Sequence, residues 1–281
     1  MKNIGVLGSG TMGSGIASAA AKSKFNVVLV DIDEDNLKEG MESIKKHLNR
    51  DVEKERLSSE EKNDILTRIK ISTEIENFAE MDLVIEAVVE NLEIKKDIFS
   101  KLDKVTKNEC ILATNTSALS ITEIAAATAR ADKVIGIHFF NPVAVMKLVE
   151  VIKAASTSQE SYQQVSEFVN EINKNAVEVK EAPGFVVNRI LIPMINEAIF
   201  ILQEGVAAAE DIDTAMKLGA NHPIGPLALA DLVGLDVCLA IMNTLHEELG
   251  EDKYRPCPLL RKKVRAEQLG RKTGKGFYDY N

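Results

Sequence analysis

The chain opens on a glycine-rich turn that lies between an apolar strand pattern and a helical pattern. Residues 3–7 read as a strand and lead into Gly8-x-Gly10-x-x-Gly13, after which a helix with one apolar face is predicted. A second apolar run, residues 27–30, ends at Asp31, 23 residues after Gly8. This order of strand, turn, helix, strand and acid is the fingerprint of a dinucleotide-binding fold. A glycine-rich turn in another α/β protein is the competing interpretation.

Each glycine of the fingerprint has a physical role. Gly8 permits a tight turn, Gly10 lets the backbone approach a pyrophosphate, and Gly13 lets the helix lie close to the strand. Thr11 and Met12 lie inside the same turn and complete the predicted cofactor-binding segment. The free N–H groups and the positive dipole end of the helix would then face the phosphate charge.

An acidic segment follows the second predicted strand and bears on which dinucleotide binds. Asp31 would accept hydrogen bonds from both hydroxyls of the adenosine ribose. Asp31 and Asp33 would also repel a 2′-phosphate, which favours NAD as the cofactor and leaves NADP possible.

Composition and charge exclude several classes of protein. A net charge of −9 argues against nucleic acid as the main partner. The sequence contains no run of 18 apolar residues and no signal-peptide pattern, so we expect no membrane span and a cytoplasmic location. Cys110, Cys238 and Cys257 show no CxxC spacing, and no histidines and cysteines share ligand spacing, so neither a disulfide framework nor a metal site is expected.

The chain of 281 residues is long enough for two domains. Its first part alternates strand-like and helix-like segments, and continuously apolar strands are typical of a parallel sheet that is buried on both faces. We therefore predict an α/β domain with a Rossmann-type doubly wound sheet over residues 1–184. A charged, helix-prone segment, residues 33–68, is expected to be a helical hairpin inserted into this domain, with an ordinary solvated face as the alternative. The predicted strands are residues 3–7, 27–30, 83–86, 111–114, 134–138, 148–152 and 176–180.

The composition shifts at Ala182-Pro183-Gly184, after which strands give way to helices. We predict an all-helical second domain over residues 185–281. Its expected helices are residues 185–204, kinked by Pro193, then 211–218 and 227–249. These helices carry more apolar residues than a domain of this size can hide alone, so we expect a homodimer or a dimer of dimers built through them.

Two polar clusters follow predicted strands, at the end of the sheet where ligands bind in this class of fold. The first is residues 114–117, which end at Ser117, and the second begins at His138. Glu150 lies twelve residues further on, within an apolar run, where a carboxylate is costly to bury unless it is paired. We expect His138 to transfer a proton, Glu150 to hold one of its ring nitrogens, and Ser117 to bond the substrate oxygen.

Two alternatives compete with this arrangement. A nucleophilic triad of serine, histidine and glutamate lacks the GxSxG turn and would leave the dinucleotide site without a purpose. In the second alternative, His138 is an ordinary core histidine and Glu150 is a solvated residue at an edge of the sheet.

The chain resembles the L-3-hydroxyacyl-CoA dehydrogenases, in particular their short bacterial members. The likeness covers essentially the whole chain and is carried by motifs in residues 8–15, 86–91, 115–117, 138–142, 147–151, 183–189, 222–226 and 274–278.

The resemblance implies a catalytic His138 paired with Glu150, and substrate contacts from Ser117 and Asn188. It implies that Lys54, in the charged hairpin, meets the coenzyme A moiety. It also implies cofactor contacts from Asp31, Glu90, Lys95, Ser117, Asn141 and Lys272.

The activity that the resemblance implies is interconversion of (S)-3-hydroxybutyryl-CoA and acetoacetyl-CoA by hydride transfer with a nicotinamide cofactor, in butyrate, butanol or fatty-acid metabolism. Two other functions stay open at this point. One is a dehydrogenase of a 3-hydroxy acid that lacks coenzyme A, and the other is a non-catalytic dinucleotide-binding protein.

Overall fold

The computed structural model describes residues 1–280 and divides the chain into two compact units. The first unit is Met1–Glu181, and the second begins at Ala182. The first unit contains one eight-stranded sheet, whose strands are β1 (Asn3–Leu7), β2 (Asn26–Val30), β3 (Ile69–Ser72), β4 (Leu83–Glu86), β5 (Ile111–Thr114), β6 (Val134–Phe139), β7 (Leu148–Lys153) and β8 (Asn175–Lys180).

The strand order is β3-β2-β1-β4-β5-β6-β7-β8. Strands β1 to β6 pair in parallel, whereas β7 pairs antiparallel with β6, and β8 runs parallel to β7. The predicted doubly wound α/β fold is confirmed. Strand β3 was not predicted from the sequence; it is a four-residue edge strand in which Lys70 and Ile71 are exposed.

Helices cover the sheet because its strands are apolar on both faces. The helices of the first unit are α1 (Thr11–Lys22), α2 (Glu34–Glu53), α3 (Ser59–Thr67), α4 (Leu92–Val105), α5 (Ile121–Ala125) and α6 (Gln159–Glu171). Helices α2 and α3 occupy the segment predicted as a hairpin. The Asp33 side chain caps α2, and Ser58 and Glu61 form a capping box at the start of α3.

The second unit has its own apolar core, built by helices. They are α7 (Val187–Gln203), α8 (Ala209–Gly219), α9 (Pro226–Val233), α10 (Leu235–Leu249) and α11 (Pro258–Arg265). The prediction of a single helix over residues 227–249 is wrong. Gly234, with φ of 105°, separates α9 from α10, and the two helices bend by 97° at this break.

Several apolar residues that suggested a second copy of the chain are covered within this unit. Leu227, Ala230 and Leu235 are buried in its core. Leu232 and Val237 stay 53% and 40% exposed, so the apolar excess is smaller than the sequence suggests.

Within residues 1–280, no single helix combines the length and apolar composition that a membrane span requires. The bent pair α9 and α10 passes that test only when its two helices are counted together.

Candidate active site

The glycine turn between β1 and α1 has the shape that a bound dinucleotide needs. Gly8 has φ of 98°, and a Cβ on Gly13 would lie 1.8 Å from the Gly8 carbonyl oxygen, so neither position accepts a larger residue. A Cβ on Gly10 would meet nothing within 4 Å. Gly10 and Thr11 are exposed and Met12 is half-buried. The turn is therefore open where a pyrophosphate would approach, which is at the start of α1.

Electrostatics at the start of α1 also suit an anion. The helix has no side-chain cap and no acidic residue in its first turn. Its N-terminal N–H groups and dipole therefore present positive charge at the exposed turn. The residues that are present fit the phosphates of a dinucleotide.

Asp31 follows β2 and contacts the glycine turn directly. Its Oδ2 accepts hydrogen bonds from the Ser9 backbone N–H at 2.7 Å and the Ser9 hydroxyl at 2.9 Å. Its Oδ1 accepts from the Asn36 amide at 3.2 Å. Burial alone would raise the pKa of Asp31, but the hydrogen bonds from Ser9 and Asn36 outweigh it and lower the pKa. Asp31 is thus ionised at neutral pH and stabilises the turn, a role that the sequence did not indicate.

His138 and Glu150 form a buried pair across two neighbouring strands. The antiparallel register of β6 and β7 sets His138 directly opposite Glu150. The Nδ1 atom of His138 lies 2.8 Å from Oε2 of Glu150, and the two side chains are only 5% and 1% exposed. An ionised carboxylate only accepts hydrogen bonds, so Nδ1 donates and the pair defines the ring orientation. The Phe140 ring packs at 4.4 Å between centroids on the same imidazole.

Ser117 lies in the loop after β5, and Glu90 holds this loop in place. The Glu90 Oε1 atom accepts from the Thr116 hydroxyl at 2.6 Å and from the Ser117 N–H at 2.8 Å. Its other oxygen lies 3.4 Å from the Lys95 ammonium. Glu90 therefore links the loop after β4 to the loop after β5.

Lys95 is deeply buried between two acids. It is 1% exposed, and its Nζ lies 2.6 Å from Glu86, a residue that is itself fully buried at the end of β4. Glu86 also accepts from the Thr114 hydroxyl at 2.7 Å. Sequence reasoning missed Glu86, although an acid that ends an apolar strand nine residues before a lysine was a usable signal.

Asn141 lies in the loop between β6 and β7, where it is exposed. The buried ammonium of Lys174 ties this loop down, donating to the carbonyls of Val143 at 2.5 Å and Met146 at 2.7 Å. Burial and the nearby Lys147 charge lower the pKa of Lys174. This contact could not be predicted from the sequence, because Lys174 is distant along the chain from the loop.

Three further predicted residues belong to other elements of the chain. Lys54 is exposed at the end of α2. In the second unit, Asn188 is half-buried in the first turn of α7. Lys272, also in the second unit, forms an ion pair with Asp236 at 2.6 Å. The predicted binding roles of these three residues stay predictions.

Among residues 1–280, no group of three or more histidine, cysteine, aspartate or glutamate side chains is arranged to hold a metal ion. All three cysteines are buried and unpaired by disulfides.

The fold and the site together define a dinucleotide-binding protein with a buried acid–histidine pair at the carboxyl edge of its sheet. Family models agree with this class. Residues 3–182 match the NAD-binding domain of 3-hydroxyacyl-CoA dehydrogenase, and residues 184–280 match its C-terminal domain.

Similar proteins cover the chain from end to end. A 3-hydroxybutyryl-CoA dehydrogenase of Clostridioides difficile is 55% identical over 278 residues, which are 99% of each chain. A probable 3-hydroxybutyryl-CoA dehydrogenase of Bacillus subtilis is 53% identical over 280 residues, covering 100% of this chain and 98% of the relative. The crystal structure of (S)-3-hydroxybutyryl-CoA dehydrogenase from Ralstonia eutropha superposes with a TM-score of 0.97 at 48% identity, covering 100% of this chain and 99% of that one.

The chain belongs to the 3-hydroxyacyl-CoA dehydrogenase family. The resemblance inferred from the motifs is confirmed, as is the prediction of an oxidoreductase that uses a nicotinamide cofactor.

Proposed function

We propose that this enzyme interconverts (S)-3-hydroxybutyryl-CoA and acetoacetyl-CoA with NAD(H). The observation that carries the proposal is the buried contact of 2.8 Å between His138 and Glu150, at the edge of the sheet where the glycine turn also opens. Relatives with 52–55% identity that bear the name 3-hydroxybutyryl-CoA dehydrogenase support this choice of substrate.

The His138–Glu150 pair supplies the proton transfer. In oxidation, Nε2 of His138 takes the proton of the 3-hydroxyl group, and in reduction the imidazolium returns a proton to the carbonyl oxygen. Glu150 keeps Nδ1 protonated and stabilises the positive charge that forms on the ring. The nicotinamide, when bound, supplies the hydride chemistry.

Other residues would bind and orient the reactants. Ser117 and Asn188 would donate to the substrate oxygen, and Lys54 would meet a phosphate of coenzyme A. On the cofactor side we propose the exposed glycine turn and the residues Asp31, Glu90, Lys95, Asn141 and Lys272. Lys95 would act mainly by neutralising Glu86 and Glu90, because its ammonium is buried between them.

The preference for NAD over NADP rests on the charge around Asp31. Residues 31–36 include Asp31, Asp33, Glu34 and Asp35 and no basic residue. The nearby Lys38 is paired with Asp35 at 2.8 Å. A 2′-phosphate would therefore meet acids where it needs an arginine or a lysine.

The test is a comparison of four reactions. We expect rapid reduction of acetoacetyl-CoA with NADH, slower reduction with NADPH, and little reduction of free acetoacetate with either. A preference for NADPH would overturn the cofactor assignment. Equal rates with free acetoacetate would support a dehydrogenase of simple 3-hydroxy acids instead.

For assembly, we propose a homodimer or a dimer of dimers that covers Leu232 and Val237 through the helical unit, in the cytoplasm. A self-complementary contact between two copies of the chain covers the same exposed apolar side chains on both copies at once. Light scattering at micromolar concentration tests the assembly, since a mass near one chain of 30.8 kDa would contradict it.

A further inference from the structure

One side chain joins the two polar clusters that follow β5 and β6. The parallel pairing of these strands ends at Thr114 opposite Gly136. Beyond that point the Oδ1 atom of Asn115 accepts a hydrogen bond of 2.9 Å from the backbone N–H of Phe139. An asparagine side chain thus continues the link between the strands after their backbone pairing has ended.

The backbone of Asn115 is anchored from the other side. Its N–H donates to the Glu86 carbonyl at 2.8 Å, at the end of β4. Asn115 therefore spans from β4 to β6, across the end of β5, the strand that it follows. A shift of the Asn115 side chain would leave this backbone anchor intact and would free the end of β6 only on its β5 side, since β6 stays paired with β7 there.

The two groups next to this hydrogen bond are those assigned to the chemistry. Ser117 is two residues after Asn115, and His138 directly precedes Phe139. Phe139 is only 2% exposed, so its N–H would lose a partner in a buried place if Asn115 were truncated. Such a loss favours movement of the strand end until the N–H finds another acceptor.

We propose, on the basis of the function proposed above, that Asn115 is a positioning residue which holds His138 in place relative to the Ser117 loop. It would touch neither substrate nor cofactor. Its effect would be on kcat, because a small displacement of a proton donor slows the reaction far more than it weakens binding.

The test compares three variants of the full-length protein in acetoacetyl-CoA reduction. Asn115→Ala removes the acceptor, Asn115→Asp retains an acceptor oxygen, and Asn108→Ala is a control at an exposed asparagine beyond the other end of β5. We expect Asn115→Ala to lower kcat by about 10–10²-fold, the range for misplacing a reacting group. KM for acetoacetyl-CoA and the Kd for NADH from fluorescence titration should be unchanged. Asn115→Asp should recover most of the lost kcat, and Asn108→Ala should match the parent enzyme.

Several outcomes would overturn the proposal. They are an unchanged kcat in Asn115→Ala, a rise in KM with kcat unchanged, and an Asn115→Asp variant as slow as Asn115→Ala. If Asn115→Ala does not fold, Asn115→Gln replaces it, since it moves the acceptor by one methylene group; an unchanged kcat there would also refute positioning. An inactive parent enzyme would instead refute the proposed function, so the two failures are distinguishable.

Discussion

Removing the charge of Glu150 while keeping its shape gives the most informative single perturbation. Glu150→Gln leaves an amide oxygen that can still accept from Nδ1 of His138, 2.8 Å away in the parent protein. The side chain is 1% exposed, so water cannot replace the lost charge. The variant therefore tests stabilisation of the imidazolium separately from orientation of the ring.

The magnitude follows from the kind of hydrogen bond that is changed. A hydrogen bond to a charged group contributes about 1.5–3 kcal/mol, and a neutral one about 0.5–1.5 kcal/mol. The imidazolium of His138 would thus lose about 1–1.5 kcal/mol of stabilisation, which is roughly tenfold in rate. Oxidation builds this positive charge on the ring, so kcat for oxidation of (S)-3-hydroxybutyryl-CoA should fall by up to about tenfold.

The assay is kcat for oxidation of (S)-3-hydroxybutyryl-CoA with NAD, with Glu178→Gln as the control. Glu178 is an exposed carboxylate on β8 of the same sheet, and its loss should leave kcat unchanged. A thermal melt monitored by circular dichroism verifies that both variants are folded. A Glu150→Gln enzyme with the parent kcat for oxidation would refute the role given to this charge.

Three further predictions rest on single contacts. Asp31→Ser should weaken the binding of NADH about tenfold relative to that of NADPH, because a neutral acceptor replaces a charged one. Equal weakening of the binding of both cofactors would contradict a role for Asp31 in cofactor choice and would leave it only the structural contact with Ser9. Lys54→Ala should raise KM for acetoacetyl-CoA, and the increase should shrink at high salt; an unchanged KM at low salt would make Lys54 an ordinary surface charge. Burial raises the pKa of Cys110 to about 11 and of Cys238 to about 12, so thiol reagents at pH 8 should label the native protein far more slowly than the unfolded one.

The sheet could be predicted because most of its strands are continuously apolar. Strands such as β4 and β5 are buried on both faces, and this leaves a clear signal in the sequence. The signal of strand β3 was weak, since this strand lies at the edge and its alternation of Ile69 with the exposed Lys70 extends over only four residues. Edge strands are short and half polar, which makes them resemble loops.

The break at Gly234 was also missed, for a different reason. Residues 227–249 are helical in composition on both sides of this glycine, and an isolated glycine within a helix is often tolerated. Here φ is 105°, and a Cβ would lie 2.9 Å from Oδ1 of Asp236. The direction of the chain at such a point is decided by packing in three dimensions.

For the site, the sequence indicated the residue types and a pairing of Glu150 with His138, but neither the strand register behind this pairing nor the contacts of the surrounding residues. His138 and Glu150 could be singled out because each is an ionisable residue in or next to an apolar strand. Their pairing depends on the antiparallel register of β7 against β6, which a sheet assumed to be parallel throughout would not produce. The contacts of Asn115 and Lys174 join segments that are distant in sequence, so only the folded chain reveals them.

Replacement of His138 tests the central claim most directly. In the presence of saturating acetoacetyl-CoA and NADH, His138→Gln should lower kcat by about 10²–10⁴-fold, the range for a positioned general acid or base. The Kd for NADH from fluorescence titration should stay at the parent value, and His246→Gln, in the last turn of α10, should retain full activity. A His138→Gln enzyme with near-parental kcat would contradict the assignment of proton transfer to this histidine.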